Sequence, residues 1–162
     1  VNKQGLLKLR MPFPKLLSGD AISIQLYYKN IDDITANEGS SVTSDAVFKQ
    51  TIFDLNAKEG AQIKLKVDAQ KVNVKAVTGG IIELSGTAIN QDVVIMSGGV
   101  LKSKNLLTSQ TTGGVSADGN AEINASTLVD AKVKAGGTIS IYGKPKQINQ
   151  QTILGGKIEE KE

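Results

Sequence analysis

The segment Val77-Thr78-Gly79-Gly80-Ile81-Ile82 decides the fold, because its glycine doublet recurs along the chain. Further doublets begin at Gly98, Gly113, Gly136 and Gly155. Upstream, a glycine followed by a small residue continues the series at Gly19-Asp20, Gly39-Ser40 and Gly60-Ala61. Successive first glycines lie 15 to 23 residues apart, and a period of roughly 20 residues is typical of stacked repeats. The chain is therefore predicted to be a repeat protein in which each coil packs on its neighbours.

Aliphatic residues recur at fixed distances from these glycines. The column three residues after the first glycine contains Ile22, Val42, Ile63, Ile82, Leu101, Ser116, Ile139 and Ile158. Its exception is Ser116, where a slip of one residue brings Val115 into the column. Between the columns apolar and polar residues alternate, a period of two that is typical of strands with one buried face. The sequence therefore predicts an all-β fold, a single-stranded right-handed parallel β-helix (β-solenoid) of roughly eight coils with about 20 residues per coil.

The glycine doublets are predicted to form one corner of every coil. A sharp turn often needs a positive φ, which glycine reaches without a Cβ clash. We therefore expect structural corner glycines at Gly79, Gly98, Gly113, Gly136 and Gly155. The second glycine of the doublet is replaced by other residues in the early repeats, so we expect a looser requirement there. Gly80→Ala should then destabilise the protein less than Gly79→Ala.

The chain is predicted to be one β-solenoid domain, residues 1–162. Residues 1–18 contain Pro12 and Pro14 and are expected to form an irregular start or a cover for the first edge. The alternation from Ala21 to Tyr28 predicts a strand. Turn residues at 116–120 predict a protruding loop, and residues 157–162 are expected to be a charged tail that blunts the last edge. Val1 is not an initiator methionine, which favours a removed export leader.

Composition excludes several kinds of chemistry. The 162 residues include 19 Lys or Arg and 16 Asp or Glu, for a net charge of +3. The lysines stand singly and aromatic residues are few, which favours a solvated outer face and no nucleic-acid partner. The chain has no Cys or His, and it therefore lacks thiolate metal ligands and the commonest general base. We expect no cofactor, no metal site and no transmembrane segment.

One pair of carboxylates is a candidate site. Glu38 and Glu59 each precede a corner glycine, so they should stack in adjacent coils about 4.8 Å apart. Two carboxylates at that distance could be a glycosidase pair or half of a calcium site. The simpler interpretation is two exposed corner residues, because no third acid recurs in that column.

The segment 136–145, with Gly136-Gly137 and Tyr142-Gly143-Lys144-Pro145, followed by Ile153-Leu154-Gly155-Gly156, resembles a known family. It is similar to the putative auto-transporter adhesin family with a head GIN domain, whose small-Gly-Gly repeats end in an aromatic-Gly-x-Pro turn. The resemblance covers approximately residues 6–157. Members of this family usually carry further sequence before the point that matches residues 5–9, so the resemblance implies that coils upstream of this chain can be missing from it. It implies a right-handed β-solenoid that is exported to the periplasm, the outer-membrane surface or the extracellular space, and it brings no functional residues with it.

Three classes of function stay open. We favour a non-enzymatic binding scaffold of the envelope or cell surface, of adhesion type, whose partner is a protein or a glycan. The alternative is a self-assembling structural protein like the bactofilins, which are also β-solenoids of similar period, and it would make the protein a homo-oligomer. A polysaccharide lyase or hydrolase is the third class, since right-handed solenoids also host such enzymes, but it requires a carboxylate cluster on one face.

Overall fold

Long strands that each run once around the molecule form its body. The computed structural model describes residues 2–3, 5–10 and 22–162, and these contain no helix. The strands are β1 (Asn2–Lys3), β2 (Leu6–Leu7), β3 (Asp33–Ala36), β4 (Ser41–Lys58), β5 (Gln62–Val77), β6 (Ile81–Met96), β7 (Val100–Ser116), β8 (Asn120–Lys134), β9 (Thr138–Tyr142), β10 (Gln147–Ile153) and β11 (Lys157–Glu160).

Parallel pairing stacks these strands into a β-solenoid. From β3 to β9 each strand pairs with the next, and the last coil is completed by β10 on β8 and β11 on β9. The result is about seven coils of roughly 19 residues, which confirms the predicted fold class with slightly fewer and shorter coils than expected. The repeat at Gly19 lies outside the described residues. β1 and β2 form a separate antiparallel pair.

The core consists of inward columns that run through the coils. One column follows the register Val42, Ile63, Ile82, Leu101, Ala121, Ile139 and Ile158. The predicted alternation is confirmed in β5, where buried and exposed residues alternate from Gln62 to Gln70. The slip proposed for one repeat is wrong. Ala121 fills the gap in this column, whereas Val115 pairs with Ile95 and Val133 in a different column.

The stretch predicted as a strand before residue 30 is not one. Ala21 lies outside the described residues, and residues 22–28 belong to no strand. Ile22, Ile24 and Leu26 are 45 to 60% exposed, although the Tyr28 ring stacks on Phe48 with centroids 5.4 Å apart. Alternation alone does not make a strand, because backbone pairing to the next coil begins only at Asp33.

Some inward columns become polar in the C-terminal coil, while Ile148 and Ile158 continue the apolar ones. In the column of Ala131 the next residue is Gln150, and in the column of Val133 it is Thr152. Residues 157–162, expected to be a charged tail, begin with strand β11, whose Glu159 forms ion pairs with Lys157 and Lys161. Polar inward residues and edge charges are typical of a capping coil that ends a stack.

Candidate binding surface

One corner of the solenoid begins with the same two backbone conformations in every coil, and the last two corners add a third positive φ at Gly137 and Gly156. Two successive residues have positive φ at Glu38-Gly39, Glu59-Gly60, Thr78-Gly79, Ser97-Gly98, Ala117-Asp118, Ala135-Gly136 and Leu154-Gly155. In five of these corners a backbone hydrogen bond closes the turn, as where the Gly80 N–H donates to the Val77 carbonyl at 3.0 Å. Positive φ at both central residues defines a type I′ turn. It was missed in the sequence analysis that the first residue of each pair, which is never glycine, also adopts a positive φ.

Four of the five expected corner glycines lie in this glycine corner. Gly79, Gly98, Gly136 and Gly155 have φ of +72°, +70°, +84° and +84°. The prediction for Gly113 is wrong, because it lies inside β7 and pairs with Val93 and Ala131 in an inward column. The corner of that coil is Ala117-Asp118, where Asp118 has φ of +60°. Aspartate tolerates the left-handed region better than most residues, so the glycine is dispensable there.

The second glycine of the doublet is restricted by space. A Cβ atom on Gly80 would lie 2.2 Å from the Ala57 carbonyl oxygen of the preceding coil. On Gly79 the nearest atom would be the Gly60 nitrogen at 4.0 Å. The expected order of the two alanine substitutions is therefore wrong, since a backbone contact of 2.2 Å cannot be relieved by a side-chain rotation.

Glu38 and Glu59 occupy the same position in adjacent coils. The Gly39 N–H donates to the Glu59 carbonyl at 3.0 Å, which joins the two corners through the backbone. Both glutamates have φ of +54° and are exposed. Within residues 2–3, 5–10 and 22–162, no group of three His, Cys, Asp or Glu could hold a metal ion. Within these residues the pair therefore has no third carboxylate beside it to serve as a calcium ligand.

A second edge of the solenoid is irregular, because strands there gain residues relative to their neighbours. Between the pairs Thr43↔Lys64 and Val47↔Lys66, β4 has two more residues than β5. Between the pairs Glu83↔Lys102 and Ser85↔Asn105, β7 has one more residue than β6. Between the pairs Lys102↔Glu122 and Thr108↔Ala125, β7 has three more residues than β8. We call this line the bulged edge and define it by residues 44–46 of β4 and 103–107 of β7.

Buried hydroxyl groups support the bulge in β7. The Ser103 Oγ donates to the Glu122 carbonyl at 2.7 Å, and the Thr108 Oγ1 donates to the Asn124 carbonyl at 2.7 Å. The Gln91 Nε2 in turn donates to the Ser103 Oγ at 3.1 Å. These side chains supply hydrogen bonds that the interrupted ladder no longer provides. The polar residues in this part of the core are thus explained by the bulge.

A groove lies beside the β4 bulge. Its volume is about 250 Å³, and it is lined by Thr43, Ser44, Asp45, Lys64, Leu65, Lys66, Glu83, Leu84 and Ser85. Residues of β4 form one wall, while β5 and β6, which carry no extra residues, form the floor. Leu65 and Leu84 contribute little to the groove surface, because they are 2% and 1% exposed and belong to the core. The accessible chemistry of the groove is therefore polar.

The charges in this groove are unequally paired. The Lys64 ammonium lies 2.8 Å from the Glu83 carboxylate, and this hydrogen bond raises the pKa of Lys64. Lys66 lies 3.9 Å from the Asp45 carboxylate, which is fully exposed. At that separation an exposed ion pair contributes little stability. The Lys66 ammonium is therefore the cation in the groove that is most available to a ligand.

Two outward columns carry an ordered pattern of charge that was missed in the sequence. One column contains Asp33, Asp54, Asn73, Asp92, Thr112, Asp130 and Asn149. From Asp54 onward, acidic and neutral residues alternate, and the Asn73 amide donates to the Asp54 carboxylate at 2.7 Å. The other column contains Thr43, Lys64, Glu83, Lys102, Glu122, Ser140 and Glu159. Alternation avoids like charges directly opposite each other, which are destabilising.

Solved structures with this architecture are described as putative adhesins. One from Parabacteroides distasonis is 26% identical, with a TM-score of 0.75 over 80% of this chain and 55% of that chain. One from Parabacteroides merdae is 19% identical, with a TM-score of 0.74 over the same shares. One from Bacteroides fragilis is 23% identical, with a TM-score of 0.64 over 75% and 56%. The chain thus spans about half the length of these structures.

A search of curated proteins gives no match to this chain. Among the described residues, no helix is long and apolar enough to cross a membrane. The model of one family matches residues 1–145, most of the chain. The chain therefore belongs to the family described as putative auto-transporter adhesin, head GIN domain.

Proposed function

We propose that the protein is a non-enzymatic binding scaffold of the cell envelope or surface, with a protein or glycan as its partner. Membership of an adhesin-type family supports a surface or exported protein with an adhesion-type role. The neighbour from Parabacteroides distasonis, at 26% identity, is also described as a putative adhesin. Export to the periplasm, the outer-membrane surface or the extracellular space is part of this proposal.

The ordered polar columns on the outside of the solenoid are the observation that carries the proposal. Every strand from β4 to β8 pairs with its neighbours, so the backbone beneath these columns is held on both sides. Side chains in such a column repeat at about 4.8 Å, the spacing of paired strands. A rigid surface with repeated polar groups loses little entropy on binding, which favours attachment to an extended partner.

The C-terminal coil weakens the self-assembly alternative. End-to-end stacking of solenoids needs an apolar face on the last coil, whereas Gln150 and Thr152 occupy inward positions there. Glu160 follows Ile141 in a third inward column. Adding another coil would bury these polar groups, which costs free energy unless each finds a hydrogen-bond partner.

An attachment assay tests the proposal. Beads coated with the full chain should be retained under flow on surfaces of extracellular matrix protein or mucin glycans, more than beads coated with an unrelated β-solenoid. The same preparation should release no reducing ends from pectin or from mucin glycans. Equal retention of both kinds of bead would contradict the binding role, and cleavage that Glu59→Gln abolishes would replace it with a hydrolase.

A further inference from the structure

We infer that the groove beside the β4 bulge binds carboxylate-bearing sugar residues of an acidic polysaccharide. The inference rests on the proposed binding function and identifies one site for it. It starts from the shape of the groove, which is lined by residues of β4, β5 and β6. The two extra residues of β4 form one wall. The floor of β5 and β6 is two strands wide, about 9.6 Å from the strand spacing, which suits a single extended polymer chain.

The wall and the floor of the groove are held in place. In the β4 bulge the Ala46 N–H donates to the Ser44 Oγ at 3.2 Å. The floor strands β5 and β6 each pair with a strand on both sides. Bulges of this kind are common beside binding sites, where they redirect side chains. The groove is thus formed before any ligand arrives, which lowers the entropy cost of binding.

The groove offers poor anchors for a peptide. Peptide recognition commonly uses an apolar pocket or a free strand edge. Here the two leucines of the floor are buried in the core, and β5 and β6 pair with strands on both sides. The accessible groups are instead the hydroxyls of Thr43, Ser44 and Ser85 and the carboxylate of Glu83. Such groups donate and accept hydrogen bonds to the hydroxyls of a sugar.

The more weakly paired cation of the groove, Lys66, favours an acidic sugar. Lys64 is already hydrogen-bonded to Glu83, but Lys66 has only the distant and exposed Asp45 carboxylate as partner in the described part of the chain. The side chain of Lys66 is 52% exposed. A ligand carboxylate on Lys66 would form a charge-assisted hydrogen bond, which is stronger than a bond between neutral groups. Binding should therefore weaken as salt increases.

Titration calorimetry with three carboxylated probes tests the site: oligosaccharides of polygalacturonate, alginate and hyaluronan. Neutral dextran oligosaccharides are the class control. We expect at least one acidic probe to bind, dextran not to bind, and Lys66→Ala to weaken the binding about tenfold through the lost charged hydrogen bond. Lys75→Ala is the matched control, because it removes an exposed lysine of the same coil outside the groove and should leave the affinity unchanged.

Deletion of Asp45 and Ala46 is a second, independent variant. It removes the two extra residues of β4, so the pairing with β5 becomes continuous and the wall is lost. Binding should disappear while the thermal unfolding midpoint stays close to that of the unaltered protein. If the deletion prevents folding, Lys66→Ala alone still decides the question.

Three outcomes would overturn the inference: no acidic probe binds, dextran binds equally well, or the Lys66→Ala protein binds with unchanged affinity. Each of them leaves the proposed function standing if coated beads are still retained on a surface. Conversely, beads that are not retained, together with probe binding in the groove, would contradict the adhesion role while the site remains.

Discussion

The glycine corner is present in every coil and the bulged edge in only some of them, and the two tolerate change very differently. At the glycine corner each coil repeats two positive φ angles, and the corners are bonded to one another, as where the Gly79 N–H donates to the Ser97 carbonyl at 3.1 Å. At the bulged edge the strands differ in length by one to three residues. After each bulge the register is restored, so the same inward columns continue in the next segment.

This contrast shows that contact with the neighbouring coils fixes the backbone at the glycine corner and leaves the strand length variable at the bulged edge. A corner whose backbone is hydrogen-bonded to the next corner leaves no room for an extra residue, and at Gly80 and Gly99 the preceding coil leaves no room for a Cβ atom either. At the bulged edge the backbone can leave the stack, provided that side chains such as Ser103 and Thr108 replace the lost hydrogen bonds. Variation in length, and with it a ligand site, therefore belongs on the bulged edge.

The largest loss of stability is expected when a charge is placed in the apolar core, which lies between the glycine corner and the bulged edge. Ile82 is fully buried, so Ile82→Asp would place a carboxylate among apolar side chains without a partner. We expect loss of the folded state, because the cost exceeds about 4 kcal/mol. Circular dichroism during a thermal scan measures it. Lys66→Ser, on the exposed face, is the control, and an equal loss in both variants would contradict the inward and outward assignment.

Two deletions of equal length compare the edges directly. Removal of Asp45 and Ala46 at the bulged edge should change the free energy of unfolding by less than about 1 kcal/mol, because the pairing of β4 with β5 becomes continuous. Removal of Gly79 and Gly80 eliminates a corner and should cost more than about 3 kcal/mol, since the strands on either side can no longer align. Urea denaturation of both proteins gives the difference. Similar losses would show that the two edges are equally constrained.

Single alanine substitutions sharpen the comparison among the glycines. Gly80→Ala should cost about 2 to 3 kcal/mol because of its clash with the Ala57 carbonyl. Gly79→Ala should cost about 1 kcal/mol, from the positive φ alone. Gly113→Ala should be neutral or stabilising, because its Cβ would meet the Ile139 side chain at an ordinary 3.7 Å. Denaturant midpoints rank the three variants, and any other order contradicts the packing described here.

The smallest effect concerns the last strand and depends on pH. Hydrogen bonds from Lys157 and Lys161 lower the pKa of Glu159 from 4.5 to about 2. A carboxyl group whose pKa is lowered by folding contributes stability that is complete above its unfolded pKa and is lost as the pH falls through the folded value. The protection of the β11 amides, measured as the exchange rate relative to the intrinsic rate at each pH, should therefore decrease between pH 4.5 and 2. Glu159→Gln should remove this pH dependence, whereas an unchanged profile would show that the ion pairs do not hold the strand.

The repeat could be predicted from the sequence because the glycine corner imposes one backbone geometry at nearly constant spacing. The same signal misled where glycine had another role. Gly113-Gly114 resembles a corner by composition, but it lies in a strand, and the two irregular intervals around it arose from that error. With Asp118 as the corner, the neighbouring intervals from Gly98 to Gly136 become 20 and 18 residues. The turn residues at 116–120 mark a tight corner instead of the protruding loop that was expected.

The bulged edge could not be located from the sequence. A bulge changes the pairing of two strands without needing a special residue, and Ser44, Asp45 and Ala46 are ordinary surface residues. In the sequence a bulge is visible only as a longer interval between successive corners, and these intervals can be measured only when the corners are assigned correctly. The groove and the outward columns depend on that register, so the site residues Lys66 and Glu83 were missed, while Glu38 and Glu59 stood out through their position beside glycine.

The alternating column of Lys64, Glu83, Lys102 and Glu122 has a consequence for how such a gene could lengthen. Tandem copying of any one of the four coils would set its charged residue against an identical charge at about 4.8 Å, which is unfavourable. Copying two adjacent coils together would preserve the alternation throughout. We therefore expect insertions in this part of the chain to consist of an even number of coils, because an odd number would place two like charges opposite each other.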